Sequence, residues 1–278
     1  MAHAVNLFKH GGGKPMKFEN IYWDEYLMND DHVSASILAI GDSWFWYPFP
    51  GGSLLNALAP ILRTGQHTVY AVGKNGAEAF DYVSGVYKGL VNTALKRHGD
   101  GLSAVFLSGG GNDFAGYNDL RPLLGIDCAA APDEAACYLD AHGKDMLARF
   151  MQKVSKNLRA LIEKVFAKVD DRVIIFLHTY DYAIPSGTGV FGTCWLQPAL
   201  EAAKVPVPLR GKCIRLLIDR YTDELTTIAA TSPRIQLIDT RNTLAPADWA
   251  NELHPTPGGF QKIAERWRPV LQQRGICP

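Results

Sequence analysis

The sequence predicts an α/β protein built on a doubly wound parallel sheet of about five strands. Short apolar runs alternate with segments of helical periodicity along nearly the whole chain. The apolar runs are of the length expected for strands buried on both faces. The 278 residues, 47% of them hydrophobic, suffice for one domain with a closed core. Length alone also fits two small domains, but neither an internal repeat nor a domain boundary is visible.

Taken in order, residues 36–41 form a short apolar run and 53–62 have helical periodicity. Residues 68–72 are rich in β-formers, and 76–97 read as one helix weakened by Gly85 and Gly89. Residues 104–108 predict the third strand and 144–169 a long amphipathic helix. Residues 172–178 predict the fourth strand, 209–229 a helix and 235–239 the fifth strand. A last helix covers 257–274, with Pro255 and Pro257 at its start. Right-handed crossovers put helices on both faces, and ligands of such sheets bind beyond the carboxyl ends of the strands. Residues 1–30 read as a flexible leader and N-terminal extension, and 31–278 as a single domain. Two Gly-, Pro-, Ala- and Cys-containing insertions, near 117–142 and 180–207, follow strands at the functional edge and are candidate lids or binding walls.

Composition narrows the partners. Lys plus Arg equals Asp plus Glu at 28 each, so no basic excess is present to hold a nucleic acid. No apolar run reaches the roughly 18 residues of a membrane span. The first residues lack the apolar stretch of a secretory signal, which predicts a cytoplasmic protein; a leader already removed would instead place it in the periplasm or outside the cell. The five cysteines, Cys128, Cys137, Cys194, Cys213 and Cys277, admit two readings. They are either two local disulfides, Cys128–Cys137 and Cys194–Cys213, or five free thiols. No Cys/His cluster has zinc-ligand spacing, and the sequence calls for no metal. It does not reveal the oligomeric state.

Chemistry is concentrated just after the strands. The first is followed by Gly41-Asp42-Ser43-Trp44, where a serine near a helix start can attack a carbonyl while its own N–H faces the developing oxyanion. Asp42 or Ser43 acting as a simple cap is the plainer reading. The second is followed by Gly73-Lys74-Asn75-Gly76, where the Gly76 N–H is a second oxyanion donor or else part of a plain turn. The third ends in Gly109-Gly110-Gly111-Asn112-Asp113. The neutral Asn112 amide donates without competing as a nucleophile, a role whose loss typically costs roughly 3–4 kcal/mol in the barrier. After the fifth comes Asn251-Glu252-Leu253-His254-Pro255, where a neutral His254 can take the Ser43 proton and return it to the leaving group.

These four segments resemble the conserved blocks of the SGNH (GDSL-like) hydrolase superfamily. Gly41-Asp42-Ser43 is similar to the nucleophile block, Gly76 to the oxyanion glycine, Gly110-Gly111-Asn112-Asp113 to the Gly-x-Asn-Asp block, and His254-Pro255 to the histidine block. The resemblance runs from about residue 37 to about residue 267. It implies a three-layer α/β/α sandwich of flavodoxin-like order, a serine esterase or lipase activity, and no cofactor. The family usually has Asp three residues before the histidine, where this chain has Asn251. Asn251 is the expected orienting residue; Asp248, Glu252 or a main-chain carbonyl are the alternatives.

Trp44, Phe45, Trp46 and Tyr47 follow the nucleophile, and Trp44, Trp46 and Tyr47 are expected to line an apolar or aryl acyl pocket with Tyr180 and Tyr182. His178 and Asp181 are read as structural neighbours. Gly187 to Gly192 spell GxGxxG but sit well past their strand and read as a loop. The expected function is cleavage of a small-molecule carboxylic ester through an acyl-enzyme. Acyl transfer or carbohydrate O-deacetylation is the enzymatic alternative, and a binding protein that has lost catalysis is the non-enzymatic one.

Overall fold

The computed structural model describes residues 20–46, 52–190 and 194–278. In chain order the elements are β1 (Ile21–Tyr22), α1 (Glu25–Asp30), β2 (Ile37–Gly41), α2 (Leu54–Thr64), β3 (Val69–Gly73), α3 (Ala79–Val83), α4 (Lys88–His98), β4 (Ala104–Ser108), α5 (Tyr117–Leu120), α6 (Met146–Phe166), β5 (Ile174–His178), α7 (Gln197–Ala202), α8 (Val207–Ala229), β6 (Ile235–Ile238) and α9 (Pro257–Gln273). Every strand pairs in parallel, in the order β1-β3-β2-β4-β5-β6. Without β1 this is the 2-1-3-4-5 order of flavodoxin-like sheets.

All residues of β2, β3 and β4 are buried, as their unbroken apolar runs require of strands covered by helices on both faces. Pairing brings Gly41 level with Gly73 on one side and with Ser108 on the other. The segments that leave β2, β3 and β4 therefore start abreast at one edge. From β2 the chain moves outward to β3 and then returns to the opposite side as β4. The crevice of the sheet lies at that reversal.

Two predicted elements differ from the fold. Residues 20–30, assigned to an extension outside the domain, supply the edge strand β1 and helix α1. Asn20 is buried, its side-chain amide donating to the Ala59 carbonyl at 3.1 Å. A two-residue strand carries too little pattern to register as a strand. The helix predicted over 76–97 is two helices, α3 and α4. The Gly85 N–H turns back to the Phe80 carbonyl at 3.1 Å and ends α3, using the low helix propensity of Ser84 and Gly85.

The insertions are anchored rather than loose. The Cys128 N–H of the first donates to the Ala203 carbonyl of the second at 2.8 Å, and the Tyr138 hydroxyl donates to the Cys213 carbonyl of α8 at 2.8 Å. All five cysteines are free thiols. The Cys194 thiol donates to the Gly187 carbonyl at 2.8 Å, whereas the Cys213 thiol faces the Glu134 carbonyl at 3.9 Å. The pairing of Cys194 with Cys213 is thus not formed. Cys128 points its thiol at the Cys137 carbonyl at 3.7 Å without a bond between the sulfurs.

Candidate active site

Ser43 lies in a tight turn directly after β2. The Phe45 and Trp46 N–H groups both return to the Asp42 carbonyl, at 3.1 and 2.9 Å. The Asp42 side chain shapes the same turn. Its Oδ1 accepts from the Trp44 N–H at 3.0 Å and from the Ser108 hydroxyl at 2.9 Å, and its Oδ2 accepts from the Tyr180 hydroxyl. Burial pushes the Asp42 carboxyl up from its ordinary range, and these donors pull it back. The serine is held by a carboxylate knot rather than by a helix start; α2 begins only at Leu54.

His254 arrives from the segment between β6 and α9. Trp249 and Pro255 form an antiparallel bridge, and the Ala250 N–H donates to the His254 carbonyl at 2.9 Å. Inside this turn, Asn251 Oδ1 accepts from the Leu253 N–H at 3.0 Å and the His254 N–H at 2.9 Å, as an Asx turn does. The same oxygen lies 3.1 Å from His254 Nδ1, and His254 Nε2 lies 2.8 Å from Ser43 Oγ. Both Ser43 and His254 are buried. Burial pushes the imidazole down to about 4, so it is neutral at pH 7.

The other two carboxylates near the histidine are occupied elsewhere. Asp248 pairs with Lys262 at 2.7 Å and accepts from the Ala245 N–H at 2.8 Å. Glu252 is fully buried and collects four backbone N–H groups of the second insertion. These belong to Gly187 at 3.1 Å, Trp195 at 2.7 Å, Leu196 at 2.8 Å and Gln197 at 3.0 Å. That staple sets the Trp195 ring edge-on to His254, with centroids 5.9 Å apart.

Asn112 and Asp113 clamp the turn after β3. The Asn112 amide donates to the Ala77 carbonyl at 3.0 Å, and the Ala79 N–H donates to Asp113 Oδ2 at 2.9 Å. Just before these two contacts stands Gly76, with φ +77° and an exposed backbone. Among the described residues nothing accepts from the N–H groups of Ser43 or Gly76, and one hydrogen of the Asn112 amide is uncommitted.

A pocket opens at this edge, lined by Ser43, Asn112, Trp44 and Tyr180, with Phe114 and Ile218 among its apolar walls. Trp44 is also a core residue, and its indole N–H donates to the Leu253 carbonyl at 3.0 Å. Trp46 does not line the pocket; Lys74 Nζ sits 5.8 Å from its ring centre. Tyr182 also stands outside, its hydroxyl on Asp219 at 2.6 Å and the Arg215 guanidinium 3.7 Å above its ring. Tyr47, like Phe191 and Gly192, lies outside the described residues. His178 is buried and stacked on Trp44, its Nδ1 2.7 Å from the Thr179 carbonyl, and burial pushes it down to about 4. Asp181 accepts four backbone N–H groups, from Tyr182, Asn242, Thr243 and Leu244. No local pattern marks Asp181 and Glu252 as amide-collecting anchors, because all their donors but the Tyr182 N–H lie about 60 residues away. Phe114 and Ile218 read simply as core.

Among the described residues, no group of three or more His, Cys, Asp or Glu side chains is arranged to hold a metal ion. No helix there is long and apolar enough to cross a membrane.

The parallel six-stranded sheet flanked by helices is the fold of SGNH hydrolases. No family model matches the chain, and no curated protein matches its sequence. Among solved structures it is similar to an extracellular lipase from Streptomyces rimosus. The identity is 17% and the TM-score 0.54, over 86% of this chain and 99% of the lipase. It is also similar to phospholipase A1 from Streptomyces albidoflavus NA297, at 18% identity and a TM-score of 0.51, over 87% of this chain and 100% of that one.

Proposed function

We propose that this chain is a serine hydrolase that cleaves carboxylic esters through an acyl-enzyme. The observation that carries this reading is the 2.8 Å contact between Ser43 Oγ and His254 Nε2, in a ring whose other nitrogen is oriented by Asn251. His254 removes the Ser43 proton as Oγ attacks the ester carbonyl. The negative charge that develops on the carbonyl oxygen is met by the Ser43 N–H, the Gly76 N–H and the free hydrogen of the Asn112 amide. Protonated Nε2 then gives its proton to the departing alkoxide. A water, deprotonated by the same nitrogen, releases the acid and restores Ser43.

The missing Asp favours a non-catalytic reading only if the imidazole is left in the wrong tautomer. In a Ser–His–Asp triad, exchange of Asp for Asn costs about 10⁴-fold in kcat for that reason. Here two backbone N–H groups require the Asn251 oxygen, not its amide nitrogen, to face the ring. An oxygen there places the proton on Nδ1 and leaves Nε2 as the base.

The experiment is labelling with a fluorophosphonate probe alongside hydrolysis of a p-nitrophenyl ester. Wild type is expected to be labelled and active, and Ser43→Ala neither. An unlabelled, inactive wild type supports the binding protein instead.

A further inference from the structure

We propose that the pocket beside Ser43 takes the acyl group of the ester and admits only short, uncharged acyl chains, from acetyl to about butyryl. This deepens the esterase reading and rests on it. The position of the pocket identifies the acyl side. Ser43, Gly111 and Asn112 line it and His254 does not. The leaving oxygen must meet His254 Nε2 to receive its proton, so the alcohol departs on the histidine side and the acyl chain faces the pocket.

The chemistry of the walls sets the character of the chain. Phe114, Ala115, Ala183, Ile218, Trp249 and Leu253 present apolar surface. Two carboxylates also line the pocket, and both are held by donors from the protein. Asp42 is held by the Trp44 N–H, the Ser108 hydroxyl and the Tyr180 hydroxyl, and Asp181 by four backbone N–H groups. Asp181 has no acceptor site left for a sugar hydroxyl or an ammonium group, and Asp42 keeps at most one, on the oxygen that Tyr180 covers. A charged or hydroxylated acyl chain would lose its hydration there without replacement.

The size of the pocket sets the length. Its interior volume is about 30 Å³. That is room for roughly two or three water-sized groups, hence a chain of two or three carbons beyond the carbonyl. An aryl acyl group or a fatty chain does not fit within this interior unless the walls give way, and they are braced. The Tyr180 ring lies against the backbone at Gly111, where a Cβ would stand 2.8 Å from it, and its hydroxyl is bonded to Asp42. The Tyr221 hydroxyl donates to the Gly109 carbonyl. Phe114 packs on both tyrosine rings and on Phe150, with centroids 6.3 to 6.5 Å apart. Opening the floor would break hydrogen bonds and ring packing together. The alcohol portion is not limited by this pocket, so acetyl esters of bulky alcohols, carbohydrates included, remain substrates.

The test is kcat/KM for p-nitrophenyl acetate, butyrate, hexanoate and octanoate, with fluorophosphonate labelling of the same preparations. Wild type is expected to prefer acetate or butyrate and to lose at least tenfold by octanoate. Ile218→Ala removes part of the apolar wall and is expected to raise the octanoate-to-acetate ratio at least tenfold. Ala115→Leu fills the pocket and is expected to lower the butyrate-to-acetate ratio. The opposite directions of these variants separate pocket size from general loss of structure. A labelled wild type that turns over octanoate as well as butyrate overturns the pocket inference and leaves the esterase reading standing. Absence of both labelling and turnover on every ester overturns the two together.

Discussion

Asn251 Oδ1 accepts from three N–H groups at once: its neighbours Leu253 and His254 through the backbone, and His254 again through Nδ1 at 3.1 Å. The turn that delivers the histidine and the group that orients its ring are one atom. A neutral carboxamide in this place fixes the tautomer but supplies no charge to stabilise an imidazolium.

With His254 pushed down to about 4 by burial, a base that must be neutral is expected to work above that pH and to fail as pH falls through it. In wild type the acid limb of kcat/KM against pH is expected near 4. Asn251→Asp adds a negative charge beside Nδ1, which favours the imidazolium and moves the limb upward by roughly one to three pH units. Asn251→Ala is expected to reduce turnover while Ser43 is still labelled. An unmoved limb in Asn251→Asp, or full activity in Asn251→Ala, contradicts the orienting role.

Glu252 ties the histidine turn to the second insertion through four N–H groups. Glu252→Ala leaves those donors without their acceptor, at about 1–3 kcal/mol for each that stays buried. The variant is expected to lose at least about 3 kcal/mol in urea unfolding and to become sensitive to proteolysis within 187–197. Glu252→Gln keeps one acceptor oxygen and should fall between. Equal stability of wild type and Glu252→Ala would show that the staple contributes nothing.

Asp113 is pushed up to about 6, chiefly by burial, with Glu78 adding repulsion and Lys153 opposing it. The unfolded carboxyl ionises near the ordinary 3.8. The folded state therefore holds a proton that the unfolded state has released, and stability declines as pH rises from about 4 to 6, by about 3 kcal/mol. Asp113→Asn keeps an acceptor for the Ala79 N–H and cannot ionise. It is expected to match wild type at pH 4 and to be more stable at pH 7, by up to that amount. Chemical denaturation at both pH values checks this; a less stable Asp113→Asn at pH 7 refutes it.

Tyr180 bridges two parts of the site, donating to Asp42 and accepting from the Gly111 N–H at 3.2 Å. Tyr180→Phe removes a donor from a buried carboxylate, a loss of about 1.5–3 kcal/mol for a hydrogen bond to a charged group. Urea unfolding is expected to show it, together with a lower kcat, because the Asp42 knot holds the Ser43 turn. Unchanged kcat would detach the knot from the chemistry.

Periodicity carried most of the fold, and the position of residues after strands singled out Ser43, His254 and Asn112, which the structure gathers at one edge of the sheet. Strand β4 was placed to the residue and α9 to within one, since buried runs and proline-marked helix starts are local signals. Strand β1 and the break at Gly85 were not legible. The first is too short to have a period, and the second depends on where α3 and α4 must pack.

What the sequence determined by itself is the alternation of strands and helices and the chemical identity of the groups delivered to one edge of the sheet, because both follow from local pattern and strand direction. What only the tertiary structure decided is which groups are spent on holding the fold and which face open space. Asp42, Asp181 and Glu252 become hydrogen-bond anchors, Trp46 and Tyr182 stand off the pocket, and Phe114 and Ile218 become its walls. The physical reason is that burial and hydrogen-bond partners are settled between segments tens to hundreds of residues apart. No short window of sequence contains most of these partners.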